Sequence, residues 1–269
     1  MREVATLTLE HIPAQSTGNR GTVRVEVFGH AAGVRVTRVA LDGLGLRVLC
    51  ARCNSTTGSR LGTAYADFAR QVRRSGNVVT PRRNVVVSAS AVYPQRVARH
   101  LYLAFVCLAN VDDESRLDGL RAFIREDSAP LPDDAPRLSL YHNRSGSFRV
   151  APVGLLRSVL GPEAGWMWTG AEVAHPGLGV VYTFPDDHAR PPHLEGTVDV
   201  TGWSKLGFRD RRDLTLELPS WRVEHPHPLG AGRPRQVERW MDNLIWFATL
   251  DDASDELIRA SASVLWRGR

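Results

Sequence analysis

Apolar and polar positions alternate with period two over residues 23–28 (VRVEVF) and 34–40 (VRVTRVA), which predicts two half-buried strands. Shorter runs at 6–9 and 44–49 predict two more. The first ends at Glu10-His11, where Ile12-Pro13 turns the chain out, and the second runs into Cys50. From residue 63 the period lengthens: Ala64, Phe68 and Val72 recur every fourth position, so a helix is expected over 62–74, stopped by Ser75-Gly76-Asn77. After a short strand at 85–87, Pro94 stands at the first position of the strongest helical pattern. That helix is expected over 94–108, with Val97, Leu101, Phe105 and Leu108 on one face. A further helix is expected over 114–125. Three prolines and four acids in EDSAPLPDDAPR then break the periodicity and read as a linker.

Beyond residue 137 the strands are short, at 138–142, 147–153, 179–184, 196–200 and 214–218, with turns rich in Gly and Pro. Helices are expected at 235–250 and 255–266. The chain reads as α+β. It divides into an N-terminal part (1–84), a central helical segment (85–127) and a mostly antiparallel β region with C-terminal helices (128–269).

Composition adds three constraints. At 43% apolar, 269 residues are enough for a real core. The longest apolar helix candidate, 101–109, is far short of the roughly 18 residues that cross a membrane, so no membrane partner is expected. The first residues, MREVATLTLEH, lack the apolar core of a signal peptide, and three cysteines do not make a disulfide framework; both point to the cytoplasm. The net charge of +5 is concentrated. Residues 51–100 carry nine arginines and one acid, Asp67, a balance of +8, while the other 219 residues sum to −3. Such a block is the electrostatic footprint of a phosphate-binding surface or simply a solvated basic face. Arginine outnumbers lysine throughout, with Lys205 the only lysine, so the choice of arginine is not evidence in itself.

One ordered array carries chemistry. Glu10-His11-Ile12-Pro13 ends a strand; further strands follow; then come Leu49-Cys50-Ala51-Arg52-Cys53-Asn54 and a helix. EHIP followed by LCxxCN resembles the HNH endonucleases of the E-H-x-P, C-x-x-C-N branch, over about residues 7–75. The resemblance implies a ββα-metal nuclease core that hydrolyses phosphodiester bonds, with DNA as the expected nucleic acid. It implies His11 as general base, since an imidazole ordinarily titrates near neutrality and can activate water. It implies Glu10 and Asn54 as ligands of a divalent metal, Mg²⁺ with Mn²⁺ or Ni²⁺ as substitutes, acting as Lewis acid on the scissile phosphate. Arg52, Arg60, Arg70, Arg73, Arg74, Arg82 and Arg83 would follow the nucleic-acid backbone. A homo-oligomer is compatible with this reading.

Three positions depart from the family's pattern. No C-x-x-C precedes EHIP, Gly45 stands where a bracing asparagine is expected, and Asn54 stands where the pattern ends in histidine. Cys50 and Cys53 are two ligands where structural zinc wants four, so structural Zn²⁺ is not expected there and buried free thiols are. Each residue also has a plainer reading: His11 a surface histidine, Glu10 an exposed strand residue, Asn54 a helix cap. Two alternatives therefore accompany the nuclease, a nucleic-acid-binding module that has kept the fold but not the metal, and a non-enzymatic protein whose basic block meets an acidic partner. His175, His188, His193, His225 and His227 lack metal-site spacing. Trp166, Trp168, Trp203 and Trp221 are expected to pack a core rather than stack bases.

Overall fold

The computed structural model describes residues 7–12, 14–17, 19, 23–28, 35–40, 45–75, 84–109, 117–144, 148–158, 167–184, 196–221, 237–239 and 245–250. Eleven strands form one large sheet, and β1 (Leu7–His11) and β4 (Gly45–Cys50) form a separate antiparallel pair. The path through the large sheet begins with β3 (Arg35–Ala40), β2 (Val23–Phe28), β13 (Ile245–Leu250) and β7 (Phe148–Ser158). It continues through β8 (Met167–His175), β9 (Leu178–Thr183), β6 (Arg137–Asn143), β11 (Arg212–Trp221) and β5 (Asn84–Val92). β10 (Val198–Asp199) pairs with β6, and β12 (Val237–Arg239) with β7. Every pairing is antiparallel except the short β6–β11 contact. The sheet takes strands from all three stretches of the chain.

Period-two alternation gives the sheet two distinct faces. Leu138 and Leu140 of β6, Val150 of β7, Ala171 and Val173 of β8 and Val180 and Tyr182 of β9 share one face and join the apolar core. The alternate positions, Ser139, Tyr141, Arg149 and Glu172, are buried on the other. The helices lie against the apolar face. The α1 helix (Ala51–Thr57) passes through one π-helical turn, Gly58–Gly62, into α2 (Thr63–Ser75). Next come α3 (Pro94–Leu108) and α4 (Asp118–Arg125). The α3 helix is buried almost all round, including Gln95, Arg99 and His100, because α2, α4 and the sheet pack about it. An apolar stripe alone predicts one buried face, not this enclosure.

Several expectations need correction. The helix expected to begin at residue 62 begins at Ala51, because Cys50 caps it: its sulfur accepts from the Cys53 amide at 3.4 Å. The segment 167–175, not foreseen as a strand, is β8. The helix expected over 235–250 is absent in its described parts, which are β12 and β13. The run IWFATL is apolar but for Thr249, so periodicity cannot arbitrate, and pairing to β2 on one side and β7 on the other decides for strand. The helix expected at 255–266 lies outside the described residues.

The β8–β9 hairpin turns at Pro176-Gly177, where Gly177 has φ +97°. A Cβ there would stand 3.1 Å from Cβ of Arg73 on α2. Asn143 clasps the turn, accepting from the Gly177 amide at 2.7 Å through its backbone carbonyl and donating to the His175 carbonyl at 2.9 Å through its side chain. Gly177→Ala is expected to cost about 1–2 kcal/mol, from left-handed backbone strain, and to lower the thermal unfolding midpoint. An unchanged midpoint would show that the turn relaxes without cost.

Candidate functional site

β1, β4 and α1 are a strand–strand–helix unit assembled across 40 residues of sequence. β1 and β4 pair with one irregularity after Thr8, so that His11 lies opposite Gly45. The α1 helix leaves β4 at once and packs on both strands. Asn54, in its first turn, reaches β1: its Nδ2 donates to Oγ1 of Thr8 at 3.2 Å, and that hydroxyl donates to the Leu49 carbonyl at 2.9 Å. The chain Asn54–Thr8–Leu49 thus ties helix and both strands together.

Glu10 and His11 close the far end of β1 on the rim of a small hollow that opens to solvent. Ile12, 2% exposed, anchors the strand end in the core. Tyr65, His100 and Cys107 are among the inner walls. Burial pushes the Glu10 carboxyl up to about 7, and the Cys107 thiol is raised by its own burial and then by Glu10. The ring of His11 lies 3.2 Å, Nε2 to Nε2, from the Gln15 amide; the amide is the donor, so the imidazole lone pair is at Nε2.

Behind the rim, Tyr65 stacks on His100, with centroids 4.5 Å apart, and its hydroxyl meets Nε2 of His175 at 2.8 Å. Burial lowers both histidines to about 4; the neighbouring His175 adds to the effect at His100. A histidine whose folded pKa lies below its unfolded value of about 6.5 binds fewer protons folded than unfolded. Stability is then fully present above about pH 6.5 and falls as pH drops toward 4. The unfolding midpoint is expected to fall over that window, and His100→Gln to flatten the slope. A slope unchanged by His100→Gln would assign the acid sensitivity to other groups.

The other residues singled out from the sequence are dispersed. Arg52 is exposed on α1, and Arg73 and Arg74 are exposed on the last turn of α2. More than twenty helical residues separate these ends, about 30 Å along the axis. Arg70 pairs with Asp67 at 2.8 Å on the surface, an exposed pair of little energetic weight. Arg82 and Arg83 lie outside the described residues. Cys53 is exposed and Cys50 half-buried, which corrects the expectation of two buried thiols; Cys107 alone is buried. Trp203 meets Phe68 edge-on, with centroids 5.5 Å apart, as expected of a packing residue.

Arg60 lies elsewhere. It pairs with Asp127 and sits over Phe208, with its guanidinium 4.8 Å from the ring centroid. Arg96 and Arg99 of α3 converge on the same ring, at 4.6 and 5.5 Å. Phe208 and Arg211 come from a loop more than 100 residues further on, and no local pattern in that mixed-charge loop announces the convergence.

Glu10 offers carboxylate oxygens at the hollow, whereas Asn54, whose Nδ2 donates to Thr8, is not among the residues lining it; a carboxylate and an amide oxygen are donor types that Mg²⁺ accepts. Comparison with protein families, with curated proteins and with solved structures finds no match.

Proposed function

We propose that the β1–β4–α1 unit hydrolyses phosphodiester bonds in nucleic acid, with DNA as the expected substrate, in the manner of the HNH-like endonucleases that EHIP and LCxxCN resemble. The observation that carries this reading is the assembly of those two distant motifs into one strand–strand–helix unit, with His11 at the strand end and Asn54 in the first turn of the helix. His11 takes a proton from water at Nε2, where Gln15 now donates; the water would displace that amide. Glu10 and Asn54 would hold a divalent cation, which when bound supplies Lewis-acid stabilisation at the scissile phosphate. The apolar wall behind Glu10 keeps its carboxyl poorly solvated, so a cation rather than bulk water would stabilise its ionised form.

A second reading, binding without cleavage, is favoured by one observation. Among the described residues no three of His, Cys, Asp and Glu gather as a metal site, so the protein's share of the donor set rests on one carboxylate and one neutral amide. A nicking assay on supercoiled plasmid in Mg²⁺, Mn²⁺, Ni²⁺ or EDTA, run beside a salt-titrated binding assay, separates the two. Metal-dependent nicking establishes the nuclease. Salt-sensitive binding without nicking in any metal establishes the binding module. Absence of both at low salt removes nucleic acid as the partner.

A further inference from the structure

Four guanidiniums and two aromatic rings form a ladder on the surface formed by α3, the π-helical turn and the loop before β11. The Arg96 guanidinium lies between Tyr93 and Phe208, with its central carbon 4.2 and 4.6 Å from the ring centroids. Its Nε donates to the Phe208 carbonyl at 3.0 Å. Arg60 lies over Phe208 from the π-helical turn, and Arg211 over Tyr93 at 5.5 Å, its Nε donating to the Ala91 carbonyl at 2.9 Å. Arg99, fully buried beneath, gives its terminal nitrogens to the carbonyls of Glu126 and Asp127 at the end of α4.

The charges do not balance. Asp127 is taken by Arg60, and at the outer end Asp213 accepts from the Ala91 amide. Arg96 and Arg211 make no ion pair among the described residues, and Asp210, in the same loop, lies 3.8 Å from Arg212 instead. A clamp that merely fastened a loop would gain by neutralising these cations. Burial lowers the Arg99 guanidinium to about 10; Asp127 opposes that shift, and Arg60 adds a smaller lowering influence. At Arg96 and Arg211 the ring contacts and the Nε–carbonyl bonds fix the guanidinium plane, and the terminal amino groups are the edge that would grip a phosphate through two parallel hydrogen bonds, whereas Arg60 gives a terminal nitrogen to Asp127.

We propose that the Arg96–Arg211 part of this ladder is a phosphate-backbone contact for nucleic acid, outside the strand–strand–helix unit and fixed in position by Tyr93 and Phe208. This deepens the proposed function by naming where the substrate backbone runs, and it rests on that reading only in requiring nucleic acid as the partner.

The test is binding of a fluorescent DNA duplex of about 20 base pairs, in EDTA, across a salt series, with thermal unfolding of every variant measured in parallel. Arg211→Ala, at an exposed site, is expected to weaken binding severalfold and to reduce the salt slope by about one. Arg96→Ala is expected to cost roughly tenfold, with Arg96→Lys recovering the slope but only part of the affinity, because a point charge lacks the fork. Wild-type affinity and slope in folded Arg211→Ala and Arg96→Ala would overturn the ladder while leaving the nuclease reading intact. Failure of the wild type itself to bind at low salt would overturn both. Ladder-dependent binding without plasmid nicking would support the ladder and remove only the nuclease.

Discussion

Replacing His11 with alanine is expected to lower plasmid cleavage by roughly 10²–10⁴-fold, the range that a positioned general base contributes, while leaving DNA binding and thermal stability close to those of the wild type. The reasoning starts from position. His11 ends β1 opposite Gly45, is half-buried, and its Nε2 meets the Gln15 amide. The strand end is anchored by Ile12, which is buried in the core. Truncating the imidazole therefore removes a proton acceptor while leaving that anchor in place. Gln15→Ala provides the companion measurement. It clears Nε2 for the attacking water and keeps the base, so cleavage at or above the wild-type rate with unchanged binding is expected. Cleavage by His11→Ala at the wild-type rate would end the assignment of the base, however well the rest of the unit performs.

Much of the candidate site was legible because motif order survives folding: EHIP ends a strand, LCxxCN starts a helix, and the two strands pair. What local sequence could not give was the state of each side chain. Glu10 reads equally well as an exposed strand residue, yet it is desolvated because Tyr65, from α2, and Cys107, from α3, close over the same hollow. Asn54 reads as a helix cap, yet Cys50 takes the cap and Asn54 reaches Thr8, 46 residues away. The arginine block is the clearest case of a pattern that misleads in one dimension. Arg52, Arg73 and Arg74 are neighbours in composition but lie at opposite ends of a long helical segment. Arg60 and Arg96 meet on Phe208, and Arg60 pairs with Asp127, neither of which a window on residues 51–100 contains.

The fold was legible to the same degree and for the same reason. Helix α3 and strands β2 and β3 have unambiguous periods, and the structure has them where the periods put them, to within a residue or two. β8 was missed because MWTGAEVAH mixes a central glycine with polar positions that face the buried side of the sheet rather than solvent. Alternation was present, but both of its phases are buried, and a rule that equates polar with exposed does not see it. β13 was misread for the complementary reason, since an apolar run without alternation carries no period.

That doubly buried sheet leads to the largest expected effect on stability. Glu172 on β8 is fully buried and accepts hydrogen bonds from the Tyr141 hydroxyl and, at 2.6 Å, from Arg149, itself 1% exposed. Tyr141 lies across Gly179 on β9, where a Cβ would fall inside its ring, so the glycine is what lets the phenol reach the carboxylate. Glu172→Leu removes the carboxylate from a guanidinium that has already lost its hydration, and breaking a buried pair by one partner costs roughly 3–5 kcal/mol. At about 2–4 °C per kcal/mol for a chain of this size, the midpoint is expected to fall by on the order of 10 °C. The combination of Arg149→Met with Glu172→Leu is expected to recover most of that loss, because no charge is then left in the sheet and apolar side chains of similar volume fill the space. Thermal unfolding of the two single variants and the double decides the matter. A double variant no more stable than Glu172→Leu alone would mean that the pair holds the strands through its hydrogen-bond geometry rather than by offsetting one buried charge with another. A single variant at the wild-type midpoint would mean that Arg149 does not depend on Glu172 at all.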